Sequence, residues 1–172
     1  MAEVWKDAED MLLPSWIGRL PSKAGSTQHG KLTADQYRNL CTINLVTTLV
    51  RLWGGSADAN TQATLDNFLL LVTAIKLAHS RTLTSYQIEQ FRSNMHQYLR
   101  GILTLYPHTD ITPNQHLSLH LPDILKRFGP VHAWRCFPFE RYNGMLQNIQ
   151  TNYKFGAVHF YLKLSKRFFP QH

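Results

Sequence analysis

The sequence has only two cysteines, Cys41 and Cys136, and they stand far apart in the chain. A disulfide-stapled domain or a thiolate zinc site needs several cysteines at short, regular spacings. The cysteine content therefore excludes both kinds of structure. It favours a reducing, intracellular compartment.

Long apolar runs are also missing. A membrane-spanning helix needs roughly 18 or more consecutive apolar residues, and no stretch approaches that length. Four acids stand within the first ten residues, where a secretory signal peptide would carry positive charge. We therefore expect no membrane partner and no export.

Three common catalytic signatures are absent from the sequence. It contains no glycine-rich phosphate loop, no Gly-x-Ser-x-Gly elbow and no cysteine–histidine context for a nucleophile. Metal-dependent phosphodiester chemistry needs two or more carboxylates that converge on ions about 4 Å apart. No pair of acids stands in a motif that would bring it to Glu140, the last acid of the chain. We therefore expect no independent catalysis and no cofactor for the isolated chain.

Negative charge is missing from the end of the chain. The protein has 18 Lys and Arg against 11 Asp and Glu, a formal net charge of +7, and no acid follows Glu140. Cations interleaved with aromatic residues suit phosphate contacts and base stacking, although a partly buried terminal helix shows the same pattern. We predict that six residues contact DNA. They are Arg135, Arg141, Lys154, Lys163, Lys166 and Arg167.

What the sequence does contain is a succession of helix signals. Of its 172 residues, 44% are hydrophobic and 17% charged, as in ordinary globular domains. Three Thr-x-x-Gln capping boxes, starting at Thr33, Thr84 and Thr112, stand in front of helical apolar patterns. No stretch alternates apolar and polar residues between hairpin turns, so we expect no substantial sheet. The sequence predicts an all-α, single-domain bundle of five to seven helices.

The predicted helices cover residues 3–13, 33–53, 61–79, 84–106, 113–128, 139–150 and 155–169. The fourth long helix, from Pro113, is expected to bend at Pro122, because a proline ring cannot sit in a straight helix interior. The segment after Pro14 is rich in Pro, Gly and Ser. We interpret it either as an extended strap anchored by Trp16 and Ile17 or as a linker.

Two of these helices carry informative apolar faces. The helix from Thr33 is apolar on much of its circumference, which predicts a central position in the bundle. The residues concerned are Tyr37, Leu40, Cys41, Leu45, Thr48, Leu49 and Leu52. The helix from Thr84 has the most regular period, and its stripe is predicted to face the core. That stripe is Ile88, Phe91, Met95, Tyr98, Ile102 and Leu105.

His116 and His120 are four residues apart, a spacing that can place two imidazoles on one zinc ion. His132 is near enough in sequence to be considered as a third ligand. The glutamate that follows the first histidine in metalloprotease helices is absent. We predict a metal site at His116 and His120. The alternative is that the histidines pack against Trp134 or bond backbone carbonyls around Pro122.

The run from His116 to Asn152 resembles a known family. It contains His-Leu-x-x-His-Leu, then Gly129-Pro130, then Trp134, then Pro138-Phe139-Glu140-Arg141-Tyr142. This pattern closely resembles a domain of unknown function in CACTA (En/Spm-like) transposon proteins. We interpret Gly129, Pro130, Trp134, Pro138 and Phe139 as its structural motif. Earlier segments, including Arg51-Leu52-Trp53, are similar to the fungal, basidiomycete branch.

The resemblance covers residues 3 to about 156. With it we divide the chain into an N-terminal helix and strap (1–32), a helical transposon-associated domain (33–156) and a basic-aromatic tail (157–172). The resemblance implies a fragment of a transposase-like protein, a class that cuts and joins DNA with an acidic triad on a ribonuclease-H-like fold. Glu140 then matches a late acidic residue of the triad, and Mg²⁺ is implied only together with a full transposase core.

The partners implied by the resemblance are DNA and the transposase core or another transposon protein, in an intracellular, nuclear setting. We expect a helical accessory domain that does not catalyse alone. One alternative is the C-terminal part of a metal-dependent transposase that contributes Glu140. The other is a protein-interaction module that uses the surface from Trp134 to Phe139 as a socket.

Overall fold

A computed structural model describes residues 1–26 and 31–134 of the chain. Every regular element in these residues is helical, and no strand occurs among them. The predicted all-α, single-domain bundle is confirmed. The elements are α1 (Ala2–Asp10), α2 (Ala34–Asn39), a π-helical segment (Leu40–Asn44), α3 (Leu45–Trp53), α4 (Ala59–Ala78), α5 (Ser85–Leu105), α6 (Pro113–Ser118), α7 (Leu121–Phe128) and a 3₁₀ turn (Val131–Ala133). The helices predicted over 139–150 and 155–169 lie outside the described residues.

The three predicted capping boxes are formed. At each of Thr33, Thr84 and Thr112, the hydroxyl accepts a hydrogen bond from the amide three residues on, and the glutamine side chain there accepts from the threonine amide. The return bonds are all 2.8 Å long. Each pair satisfies backbone donors that the first helical turn leaves without partners. These local contacts fix the starts of α2, α5 and α6.

The main apolar cluster lies between α4, α5 and α7. Its fully buried members are Ala74, Ala78, Ile88, Phe91, Met95 and Leu125. The α5 stripe predicted from the sequence is confirmed at Ile88, Phe91, Met95 and Ile102, which are buried. Since α4 and α5 are the longest described helices and are joined by a short connection, they form a helical hairpin on which α7 packs.

Gly101 lets α4 and α5 approach closely. A β-carbon added at this position would overlap the side-chain amide of Asn67 on α4. Asn67 is itself buried, at 8% exposure. The absence of a side chain at Gly101 therefore sets the spacing of the hairpin at this level.

A second, smaller apolar cluster holds the N-terminal part. Its buried members are Val4, Ala24, Leu32 and Leu40. The indole nitrogen of Trp5 donates to the carbonyl of Ala24 at 3.0 Å. The prediction that Trp16 anchors this segment is wrong, because Trp16 is 83% exposed. Ala24, with no exposed surface, makes the contact instead.

Two helix predictions also need correction. The helix over 33–53 is interrupted by a π-helical segment, and Tyr37 and Leu52, which the sequence pattern assigns to its buried surface, are exposed. Pro122 does not bend one continuous helix. It lies in the first turn of a new helix, α7, where its missing amide hydrogen costs no hydrogen bond.

Candidate functional site

Most of the predicted site residues lie outside the described residues. They are Arg135, Pro138, Phe139, Glu140, Arg141, Lys154, Lys163, Lys166 and Arg167. The predicted DNA contacts and the match of Glu140 to a catalytic acid therefore stay predictions. The described part of the site is the junction of α6 and α7 with the turn that follows.

His116 and His120 come together at this junction. His116 lies on α6, and His120 is the residue before α7. Both side chains are exposed, and their ring centroids are 5.4 Å apart, with the rings nearly perpendicular at 78°. No group of three or more His, Cys, Asp or Glu suited to a metal ion occurs in residues 1–26 and 31–134. His132, in the 3₁₀ turn, therefore does not join the pair as a third ligand.

The Gly129–Trp134 turn acts as a structural motif. Gly129 has φ = 75°, a left-handed conformation that favours glycine, and it ends α7. The indole nitrogen of Trp134 donates to the Gly129 carbonyl at 3.0 Å. Trp134 also packs on the main apolar cluster, while Pro130 leads into the 3₁₀ turn. Trp134 thus holds the turn against the main apolar cluster.

An ion-pair cluster ties α5 to α7 beside this junction. Lys126 on α7 contacts Glu89 on α5 at 2.8 Å, and Arg92 contacts Asp123 at 3.1 Å. Arg92 also pairs with Glu89 within α5, at 3.3 Å. The pKa of Glu89 is lowered, first by its bond from Lys126. The charges at this helix contact are therefore matched within the bundle.

A second ion-pair cluster ties α1 to α3. Arg51 contacts Glu3 at 2.9 Å and Asp7 at 3.0 Å. The pKa of Asp7 is lowered, with the nearby Thr48 hydroxyl as the largest cause and Arg51 as the next favourable one. The Thr48 hydroxyl itself has no fully formed hydrogen bond among the described residues. The acids of α1, which the sequence shows as a surplus at the N-terminus, are thus partly neutralised by Arg51.

Three polar side chains are buried around the π-helical segment, and sequence reasoning assigned only Thr48 to an inward face and missed the two asparagines. Asn39, Asn44 and Thr48 are buried, with Asn44 and Thr48 at 2% and 1% exposure. Asn39 donates to the Gly18 carbonyl at 3.2 Å, but the side-chain nitrogen of Asn44 finds no hydrogen-bond partner in the structure. Such π-helical insertions recur at functional sites. A 3.6-residue period does not reveal them, because the extra residue shifts the inward positions.

A shallow groove lies between α1 and the segment that follows Pro14, lined by Trp5, Glu9, Arg19, Leu20 and Pro21. Its volume is about 120 Å³. Small-molecule sites enclose roughly 300–1,000 Å³. The groove is therefore smaller than a typical small-molecule site.

Comparison with protein-family models, with curated proteins and with solved structures found no match. In the described part of the chain, no helix is both long enough and apolar enough to cross a membrane. The helical fold of residues 1–26 and 31–134 therefore rests on the structure alone.

Proposed function

We propose that this chain is a helical accessory domain of a transposon-derived protein, which contacts DNA or its transposase core and does not catalyse alone. The family resemblance supports the transposon origin. The charge distribution supports the DNA contact. The proposal includes a nuclear location, where such a partner is found.

The observation that carries the proposal is the unequal balance of charge along the chain, which is near neutral before residue 135 and strongly basic after it. In the described bundle, the cations at the helix contacts, Arg51, Arg92 and Lys126, are each paired with acids. Beyond residue 134 the sequence places six Lys and Arg against the single acid Glu140. Unmatched cations attract the phosphate backbone and release its counterions on binding.

The test is the salt dependence of duplex DNA binding by the full chain. The triple variant Lys163→Gln, Lys166→Gln and Arg167→Gln should weaken binding and lower the slope of log K against log salt by about 1 for each phosphate that is no longer neutralised. A matched control carries the same charge change on exposed cations outside the ion pairs of the bundle, Lys31→Gln, Lys76→Gln and Arg100→Gln. Equal losses of affinity in both triple variants would contradict binding by the C-terminal cations. Affinity without salt dependence would favour the protein-interaction module.

A second experiment separates the accessory role from a catalytic one. The full chain is incubated with Mg²⁺ and labelled DNA that carries a transposon terminal repeat. We expect no cleavage. Cleavage that is lost in Glu140→Gln would overturn the accessory role and assign Glu140 to a metal-dependent site.

A further inference from the structure

The two histidines at the α6–α7 junction have ring nitrogens available for a ligand. Among the described residues, neither the His116 ring nor the His120 ring makes a hydrogen bond to another protein group. Both side chains are exposed. A histidine with a purely structural role is usually buried, or its ring is hydrogen-bonded to a backbone carbonyl. Neither holds for these two rings among the described residues.

The ring separation matches that of a chelating pair. A tetrahedral metal ion bonded to one nitrogen of each ring at about 2.0–2.1 Å holds the two ring centroids about 5 Å apart. The observed separation is 5.4 Å. A common ion also requires one nitrogen of each ring to point at it, and both side chains are exposed and so have room to rotate.

The backbone holds both histidines in place. The His116 amide donates to the Thr112 carbonyl, and the His120 amide donates to the Leu117 carbonyl, each at 3.0 Å. The His120 carbonyl accepts from the Asp123 amide at 3.2 Å. Since Pro122 beside them is almost completely buried, the junction is fixed to the bundle core. A pair on a fixed backbone loses little entropy when it binds a metal ion.

From this geometry we propose that His116 and His120 form a two-histidine site for a divalent transition-metal ion of the Zn²⁺, Ni²⁺ and Cu²⁺ group. Imidazole is a preferred ligand of these ions. Two protein ligands leave the remaining coordination positions to water. The ion links α6 to the start of α7 and so reinforces the break between the two helices.

The test is a calorimetric titration of the tag-free full chain with Zn²⁺ alone. We expect one Zn²⁺ ion at the pair, with affinity reduced at least about tenfold in His116→Gln and in His120→Gln. The controls are His96→Gln and His132→Gln, which change exposed histidines elsewhere and should leave this affinity unchanged. Unchanged Zn²⁺ affinity in the double variant of His116 and His120, or no binding up to about 1 mM Zn²⁺, would overturn the proposal.

A second measurement uses the unaltered chain and does not depend on how the variants fold. Zn²⁺ should slow hydrogen exchange at the amides of Leu119, His120 and Asp123, since it closes the junction, and EDTA should reverse the effect. Exchange that Zn²⁺ leaves unchanged would count against the site. DNA affinity measured in EDTA reports on the proposed function separately, so either proposal can fail while the other stands.

Discussion

The two apolar clusters of the bundle are built differently. The α4–α5–α7 cluster buries Phe91, Met95 and Leu125 against one another, at 5% exposure or less. The N-terminal cluster buries fewer and smaller apolar side chains, and the neighbouring α2–α3 helix buries Asn39, Asn44 and Thr48. Buried apolar area stabilises a fold roughly in proportion to its size, whereas buried polar atoms without partners cost free energy. The α4–α5–α7 cluster should therefore contribute most of the stability. Substitutions of buried polar residues in the N-terminal part should be able to raise the free energy of unfolding.

The largest effect is expected from Leu125→Ala. The Leu125 side chain is 1% exposed, so its truncation leaves a cavity and should lower the free energy of unfolding by about 2–5 kcal/mol. Urea denaturation measures the change. Leu12→Ala, at a leucine that is 93% exposed, is the matched control and should stay within about 0.5 kcal/mol of the unaltered chain. Equal losses in the free energy of unfolding for the two variants would show that the α4–α5–α7 cluster does not dominate the stability.

A change of opposite sign is expected from Asn44→Leu. Leucine resembles asparagine in branching and removes a buried side-chain nitrogen that has no hydrogen-bond partner among the described residues. We expect the free energy of unfolding to rise by about 1–3 kcal/mol, measured by the same denaturation. Asn60→Leu, at an exposed position of α4, serves as the control and should show no gain. A loss of stability in Asn44→Leu would mean that this polar side chain has a partner that favours the folded state.

The smallest effect on stability is expected from removing the carboxylate of Asp7. Its pKa is lowered in the folded chain, so its contribution to stability is present above the unfolded pKa and is lost as pH falls through the folded pKa. Asp7→Asn should remove this contribution and flatten the decline of the urea midpoint below about pH 4. Glu9→Gln, at an exposed α1 acid with no ion pair in the described residues, should leave the decline in place. An unchanged pH profile in Asp7→Asn would show that Arg51 and Thr48 do not act on this carboxylate.

The fold is predictable where local chemistry decides the structure. Thr33, Thr84 and Thr112 specify helix starts because each cap is satisfied within four residues. The α5 stripe follows from a regular period. The sequence pattern places the start of α4 too late, at Thr61, because the cap is Asp58, whose side chain accepts from the Thr61 amide at 2.9 Å.

The predictions fail where distant contacts decide. Trp16 is predicted to anchor its segment because its side chain is large and apolar, but Ala24 and Leu32 pack against α1 instead. The π-helical segment hides the inward positions of the α2–α3 helix from a 3.6-residue period. At the candidate site, the spacing of His116 and His120 predicts their proximity. It does not predict that a helix break lies between them, since Pro122 suits a first turn as well as a bend.

The contact between Gly101 and Asn67 has a consequence for how this chain can vary. With the hairpin at its present spacing, alanine at 101 has room only if the residue at 67 becomes smaller or turns away. A side chain at 101 should therefore favour a smaller residue at 67 in a lineage that keeps the present hairpin spacing. A side chain at 101 with asparagine kept at 67 would mark a relative in which Asn67 turns away or the two long helices stand farther apart.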